Sequence, residues 1–251
     1  MGLQSTPRPL LFSNDRLHFN LFWSICGLLT VFALCDGGSA LLSIAPVLGG
    51  IPHRSAQDIV WDLTLRLEEA TRHGRFFGGF SLDSEKFFDN VTWSVIFPLA
   101  EYVGFPKAVS TLLQNYLRNL KRYFRYGPSA GQYWTCTNSI VQGCVISLIL
   151  VAIQASLWAH AVLDASPHAI PTSYVDDKQV SGRFPSDVAK AAQASLEVSV
   201  LLAEKVNVKK SAAFANSKHA QQQLQEVLPA GFTAPFVTTE KVLGALSLIH
   251  I

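Results

Sequence analysis

Two adjacent acids close a short strand candidate in Tyr174-Val175-Asp176-Asp177. Like charges so close raise each other's pKa unless a cation lies between them. A hard divalent ion with oxygen ligands, such as Mg²⁺, would relieve the conflict. The alternative is a plain Asp-Asp turn. A third acid, Asp83, ends another apolar run, GGFSLD, and is followed by Lys86, Phe87, Phe88 and Asp89. The two acidic sites are 93 residues apart and can meet only if their strands lie side by side. If they meet, Asp83, Asp176 and Asp177 form a carboxylate cluster suited to two metal ions about 4 Å apart, which align a hydroxyl and a triphosphate for in-line phosphoryl transfer. Otherwise Asp83 caps a helix or pairs with Lys86.

Two weaker features accompany the acids. Gln142-Gly143-Cys144 precedes a long apolar segment. A glycine there lets the backbone approach a ligand, and a helix N-terminus offers N–H donors. The alternative is a simple turn into a helix. Residues 116–126, YLRNLKRYFRY, carry Arg118, Lys121, Arg122 and Arg125 with no acid among them, interleaved with aromatic rings. Cations track phosphates and rings stack on bases. The alternative is a solvated hairpin whose rings pack inward.

Helices and strands must position these groups. Ser55 and Asp58 read as a capping box for a helix to Arg72, with Ile59, Leu63, Leu67 and Ala70 at helical spacing and Trp61 and Leu65 widening the stripe. A strand follows at 76–82, then helices at about 92–103 and 106–120, with Pro98 as a kink or break in the first. Residues 121–140 read as a hairpin turning at Gly127-Pro128. A long apolar helix begins near Gln142 or Ser147 and runs to Leu163, a short strand spans 172–175, and a further helix spans about 186–204. Strands separated by helices predict an α+β layer with helices covering one face of a sheet.

Composition bounds the partners. The chain has 251 residues, 49% apolar and 15% charged, with 20 basic and 18 acidic side chains. Bulk charge therefore gives no case for nucleic acid, and any such case rests on local patches. Cys26, Cys35, Cys136 and Cys144 show no metal or disulfide spacing and read as free thiols in a reducing compartment. The apolar stretch 21–35 is short of the roughly 20 residues that span a bilayer. It reads as a buried helix, as sequence outside any domain, or as a signal or anchor.

The order of motifs resembles the reverse transcriptases of non-LTR retrotransposons over about Gly49 to Ala245. GGIPHRSAQD resembles the fingers segment before motif A, SLDSEKFFDNV resembles motif A, and NSIVQGCVISLIL resembles motif B. SYVDD resembles motif C, VNVKKS resembles motif D, and VLGA resembles the start of the segment after it. The resemblance implies the fingers and palm of a right-hand polymerase, with a split β-α-β palm, and RNA-directed DNA synthesis. RNA template, DNA primer and deoxynucleoside triphosphates would be its partners, with two Mg²⁺ or Mn²⁺ ions as cofactors; no specific protein partner is implied.

By position, Asp83, Asp176 and Asp177 would hold the metals. Arg54, Phe88, Gln142, Gly143 and Lys210 would lie at the nucleotide, with Phe88 under the sugar and Lys210 near the leaving pyrophosphate. Tyr174 would support the primer end, and Arg118, Lys121, Arg122 and Arg125 would meet nucleic acid. The family implies a nucleus or cytoplasm location.

The sequence departs from the pattern in places. Phe87 replaces a usual Ala, where a ring would collide with substrate unless the backbone yields. Val141 and Leu148 replace usual prolines. No thumb segment follows the palm motifs, and residues 246–251, LSLIHI, read as a non-native tail. These departures set the expectation of weak or no polymerase activity. The alternative classes are a non-catalytic nucleic-acid-binding or structural remnant, and a membrane-anchored protein built on residues 21–35.

Overall fold

The computed structural model of the protein describes residues 55–237. The segment 21–35, Cys26, Cys35, Arg54 and the tail 246–251 lie outside the described residues. Helix α1 spans Ala56–Arg72. Its N-cap is Ser55, whose backbone N–H donates to Asp58 Oδ2 at 2.7 Å, as the capping-box spacing predicts. Ala56, Ile59, Leu63 and Ala70 are buried, but Trp61 and Leu65 are exposed at 65% and 62%. Each follows a stripe residue by two positions, which is about 200° around the helix, so neither widens the buried face.

Strand β1, Gly78–Leu82, leads to a one-turn helix α2 at Phe87–Asn90, then α3 at Trp93–Tyr102 and α4 at Lys107–Asn119. Pro98 does not break α3. Its ring lies on the exposed side, and so does Ser94, whose carbonyl loses its helical partner to the proline and faces water instead. The predicted hairpin forms as two-residue strands β2, Arg125–Tyr126, and β3, Ser129–Ala130, with Gly127 at φ +57° in the turn.

Helix α5, Val145–Ala165, follows. Strands β4, Ile170–Tyr174, and β5, Asp177–Gly182, precede α6 at Pro185–Leu201, β6 at Ala212–Ala215 and α7 at Lys218–Val227. The four long strands form one sheet in the order β4-β5-β1-β6, and every neighbouring pair is antiparallel.

One face of this sheet packs on helices. Phe80, Leu82 and Val180 meet Trp158, Val162, Val188, Ala191, Val198 and Leu224 from α5, α6 and α7. A second core joins Phe87, Ile96, Phe97, Leu113, Leu117, Leu150 and Ile153, so α5 serves both cores along its length. That double role explains its composition. Residues 146–165 reach a mean hydropathy of 2.0, long and apolar enough to cross a membrane, yet most of that span is buried inside the fold. Leu63 and Ala70 of α1 pack with Phe77 and Phe214 in a third cluster.

The centre of the sheet is tight. A Cβ at Gly79 would lie 2.1 Å from the Val180 carbonyl oxygen and 2.8 Å from Phe214 Cζ. Only glycine lets β1 approach β5 and β6 this closely. Gly79→Ala is expected to destabilise the protein by about 3 kcal/mol, because the added methyl overpacks against backbone that cannot move. Thermal unfolding followed by circular dichroism checks this; an unchanged midpoint would contradict the packing described.

Candidate functional site

The three acids converge because β1 and β5 are neighbours. Leu82 pairs with Lys178 at the end of the antiparallel register. One step further along the same register sets Asp83 across from Asp177. Asp176 is the second residue of the two-residue loop joining β4 to β5, and Tyr174 pairs with Asp177 to close that hairpin. Val175, at the first loop position, takes φ +58°. A β-branched residue is strained there, and the tight hairpin enforces it.

A strap of residues 204–211 fixes the other side. Glu85 N–H donates to the Lys205 carbonyl at 2.8 Å, and Asn207 N–H donates to the Asp83 carbonyl at 2.8 Å. Asp83 N–H donates to Ser211 Oγ at 3.1 Å. Ser84 and Val206 form an antiparallel bridge between these segments. The backbone of Asp83 is thus held from both directions. Asp83 neither caps a helix nor pairs with Lys86: the N-cap of α2 is Lys86, in a left-handed conformation at φ 45°.

The acids feel one another. Burial pushes the Asp177 carboxyl up from the ordinary 3.8 to about 6, and the charges of Asp176 and Asp83 push it the same way. Asp176 is also raised, first by burial and then by Asp83, against a lowering by its own backbone hydrogen bond. Lys210 opposes both shifts, so its ammonium stands within electrostatic reach of the pair although the residue is exposed. Carboxylate oxygens are the ligand type that hard divalent ions take, and a cation between like charges would relieve their repulsion. Among the described residues, no three His, Cys, Asp or Glu side chains are yet drawn together closely enough to grip an ion.

The remaining site residues fall into two groups. Phe87 is buried in the helical core, and Phe88 lies edge-on to it with ring centroids 5.6 Å apart. The ring in place of the usual alanine therefore turns inward into that core. Phe88 is half-buried, and Gln142 and Gly143 occupy an exposed turn before α5 with Gly143 at φ +82°.

Arg118, Lys121, Arg122 and Arg125 gather on the end of α4 and the β2–β3 hairpin. Arg122 donates to Ser139 Oγ at 2.7 Å and lies 3.8 Å from Asp89; Arg118, Lys121 and Arg125 are exposed. Lys121 sits 4.5 Å above the Tyr133 ring. Phe124 and Tyr126 are exposed at 80% and 92%, so these rings do not pack inward.

Sequence reasoning missed Lys178 and Glu204. Lys178 Nζ meets the two Glu204 oxygens at 2.6 and 2.7 Å, and both side chains are buried. Nothing in a polar stretch such as DKQVSG marks a buried strand. The one usable signal was its position directly after an acid pair that needed a second strand.

No protein-family model and no curated protein matches the chain. Solved structures do match in fold. Telomerase from Candida tropicalis, in complex with a TWJ fragment of telomeric RNA, superposes with a TM-score of 0.58 at 10% identity, covering 80% of this chain and 34% of that one. Apo telomerase from Candida tropicalis, truncated from its C-terminal domain, gives 0.55 at 12% identity, covering 78% and 40%. The chain therefore has the mixed α+β fold of the reverse-transcriptase-related telomerases, and it spans between a third and two fifths of their length.

The raised Asp177 carboxyl makes stability depend on pH. Its folded pKa of about 6 exceeds the ordinary 3.8, so the folded state holds its proton more tightly than the unfolded chain. The associated stability is fully present below about pH 4 and is lost as pH rises through about 6. Asp177→Asn removes a loss of about 2–3 kcal/mol. In chelator-treated buffer the variant is expected to melt several degrees above the parent at pH 7.5 and level with it at pH 4. Equal midpoints at both pH values would contradict the burial and repulsion assigned to this carboxyl.

Proposed function

We propose that the chain carries the fingers and palm of a reverse-transcriptase-like polymerase of retrotransposon type, transferring a nucleotide from a deoxynucleoside triphosphate to a primer 3′-hydroxyl. The observation that carries this reading is the meeting of Asp83 with Asp176 and Asp177 across neighbouring strands of a telomerase-like fold. The motif order found in the sequence is consistent with that meeting.

Asp83, Asp176 and Asp177 would hold two Mg²⁺ or Mn²⁺ ions. Bound there, the ions would lower the charge on the triphosphate and acidify the primer hydroxyl. A cation facing Asp176 and Asp177 would favour their ionised forms, against the burial that chiefly raises both and the charge of Asp83 that adds to it. Lys210, exposed beside the pair, is suited to meet the negative charge that develops on the leaving pyrophosphate. Phe88, Gln142, Gly143 and Tyr174 are assigned to the nucleotide and primer on the motif resemblance, as is Arg54, and their roles follow only if the acids are catalytic.

The basic and aromatic hairpin suits an RNA template or DNA primer strand. Its cations Arg118, Lys121 and Arg125 are exposed together with rings able to stack on bases. A second reading, a non-catalytic nucleic-acid-binding remnant, is favoured by the acids' not being gathered to ligating distance. Primer extension on an RNA template separates the two. Extension by the parent that falls at least about 10³-fold in Asp176→Ala, with RNA affinity unchanged, supports the polymerase. Absence of extension with intact RNA binding supports the remnant. Removing Arg118, Lys121 and Arg125 together is expected to weaken RNA binding in either case and to flatten the slope of log affinity against log salt by about 2. An unchanged slope in a salt titration would take the hairpin out of the nucleic-acid contact.

A further inference from the structure

The Glu204 carboxylate is the hub of a buried polar cluster beside the acids. Oε2 accepts from Lys178 Nζ at 2.6 Å and from Ser84 Oγ at 3.4 Å. Oε1 accepts from Lys178 Nζ at 2.7 Å and, in a short hydrogen bond, from Gln154 Nε2 of α5. Lys178 Nζ also lies 5.9 Å from the centre of the Trp158 ring. Lys178 and Gln154 are 3% and 4% exposed. A small cavity of about 10 Å³, enough for one water, borders Glu204, Ser84, Gln154 and Lys205.

Four segments meet here: β5 through Lys178, the turn after β1 through Ser84, α5 through Gln154, and the strap through Glu204. Lys178 directly follows Asp177, and Ser84 directly follows Asp83. The strap that begins at Glu204 is the same one whose Asn207 and Ser211 hold the Asp83 backbone.

A buried ion pair is a poor source of stability, because desolvation offsets most of its attraction. An apolar trio of similar size would pack between these segments as well or better. What an apolar trio would lack is direction: it would not define where the strap sits relative to β5. We propose that Lys178, Glu204 and Gln154 form a positioning cluster that fixes the separation between the Asp176–Asp177 hairpin and Asp83. None of them touches substrate. The part of this inference that concerns metal rests on the acids' being the metal site; the part that concerns the strap does not.

The test uses the full chain and replaces the cluster by Lys178→Met, Glu204→Leu and Gln154→Leu together, with Lys178→Met/Glu204→Gln, which leaves no buried charge unpaired, as a milder variant should the triple variant not fold. Two quantities are read. The first is amide hydrogen exchange at Glu85 and Asn207, whose N–H groups bond the strap to the Asp83 segment, against Phe80 in the centre of β1. The second is Mn²⁺ affinity from the loss of the free-ion electron paramagnetic resonance signal.

The triple variant is expected to melt within a few degrees of the parent, to exchange at least 10-fold faster at Glu85 and Asn207 but not at Phe80, and to bind Mn²⁺ at least 10-fold more weakly. Lys178→Met/Glu204→Gln is expected to shift exchange at the same two amides in the same direction. Unchanged exchange at Glu85 and Asn207 in a folded variant overturns the positioning role. So does faster exchange with undiminished Mn²⁺ affinity. A parent that binds no Mn²⁺, in company with faster exchange in the variants, overturns the metal reading while leaving the strap-holding role supported.

Discussion

The register between β1 and β5 is the constraint on which the site depends. Side chains alternate faces along a strand, so a slip of one residue would send every group on β5 to the opposite side. In the observed pairing, Leu82 and Lys178 share the last position, with Asp83 and Asp177 next to them in the chain. Gly79 allows β1 to lie against the Val180 carbonyl and the Phe214 ring, and the two-residue loop at Val175–Asp176 leaves β5 no slack at its start. The strained φ at Val175 is sustained by the ladder on either side of it.

The helical layer reads as support for that register. Phe80, Leu82 and Val180 anchor β1 and β5 on α5 and α6, while Lys178 projects from the same face into the same layer and finds Glu204 there. A charge in an otherwise apolar interface is tolerated because every hydrogen-bonding direction of the carboxylate is occupied. Electrostatic tension is instead concentrated at Asp176 and Asp177, which burial and then neighbouring carboxylate charge push toward protonation.

Much of this was legible in the sequence where a local rule operates. The capping box at Ser55 and Asp58, the helices near 93–102 and 107–119, and the hairpin turn at Gly127 follow from spacing and turn chemistry. The acids were legible as residue types, and their meeting required only that two strands be neighbours. Strand β5 was not legible: Lys178, Gln179 and Ser181 are buried polar residues, and a buried polar strand carries no apolar period. Strand β6, with Ala212, Ala213 and Ala215, was hidden for a similar reason, since alanine favours helices and says little about a sheet. The inward turn of Phe87 depends on the left-handed residue Lys86 and on a distant core, neither of which a linear motif displays.

Helix α5 also bears on how the chain is made. It is synthesised before β4, β5, α6 and α7, the elements that bury its second half. Until residues up to about 224 have left the ribosome, this twenty-residue stretch of mean hydropathy 2.0 has only the α2–α4 segment of its final partners to lie against. During that interval the nascent chain presents a surface that chaperones and membrane-targeting factors recognise by hydropathy alone. Yield in a cell will therefore be governed by translation speed and chaperone supply through that window, as well as by the stability of the finished fold.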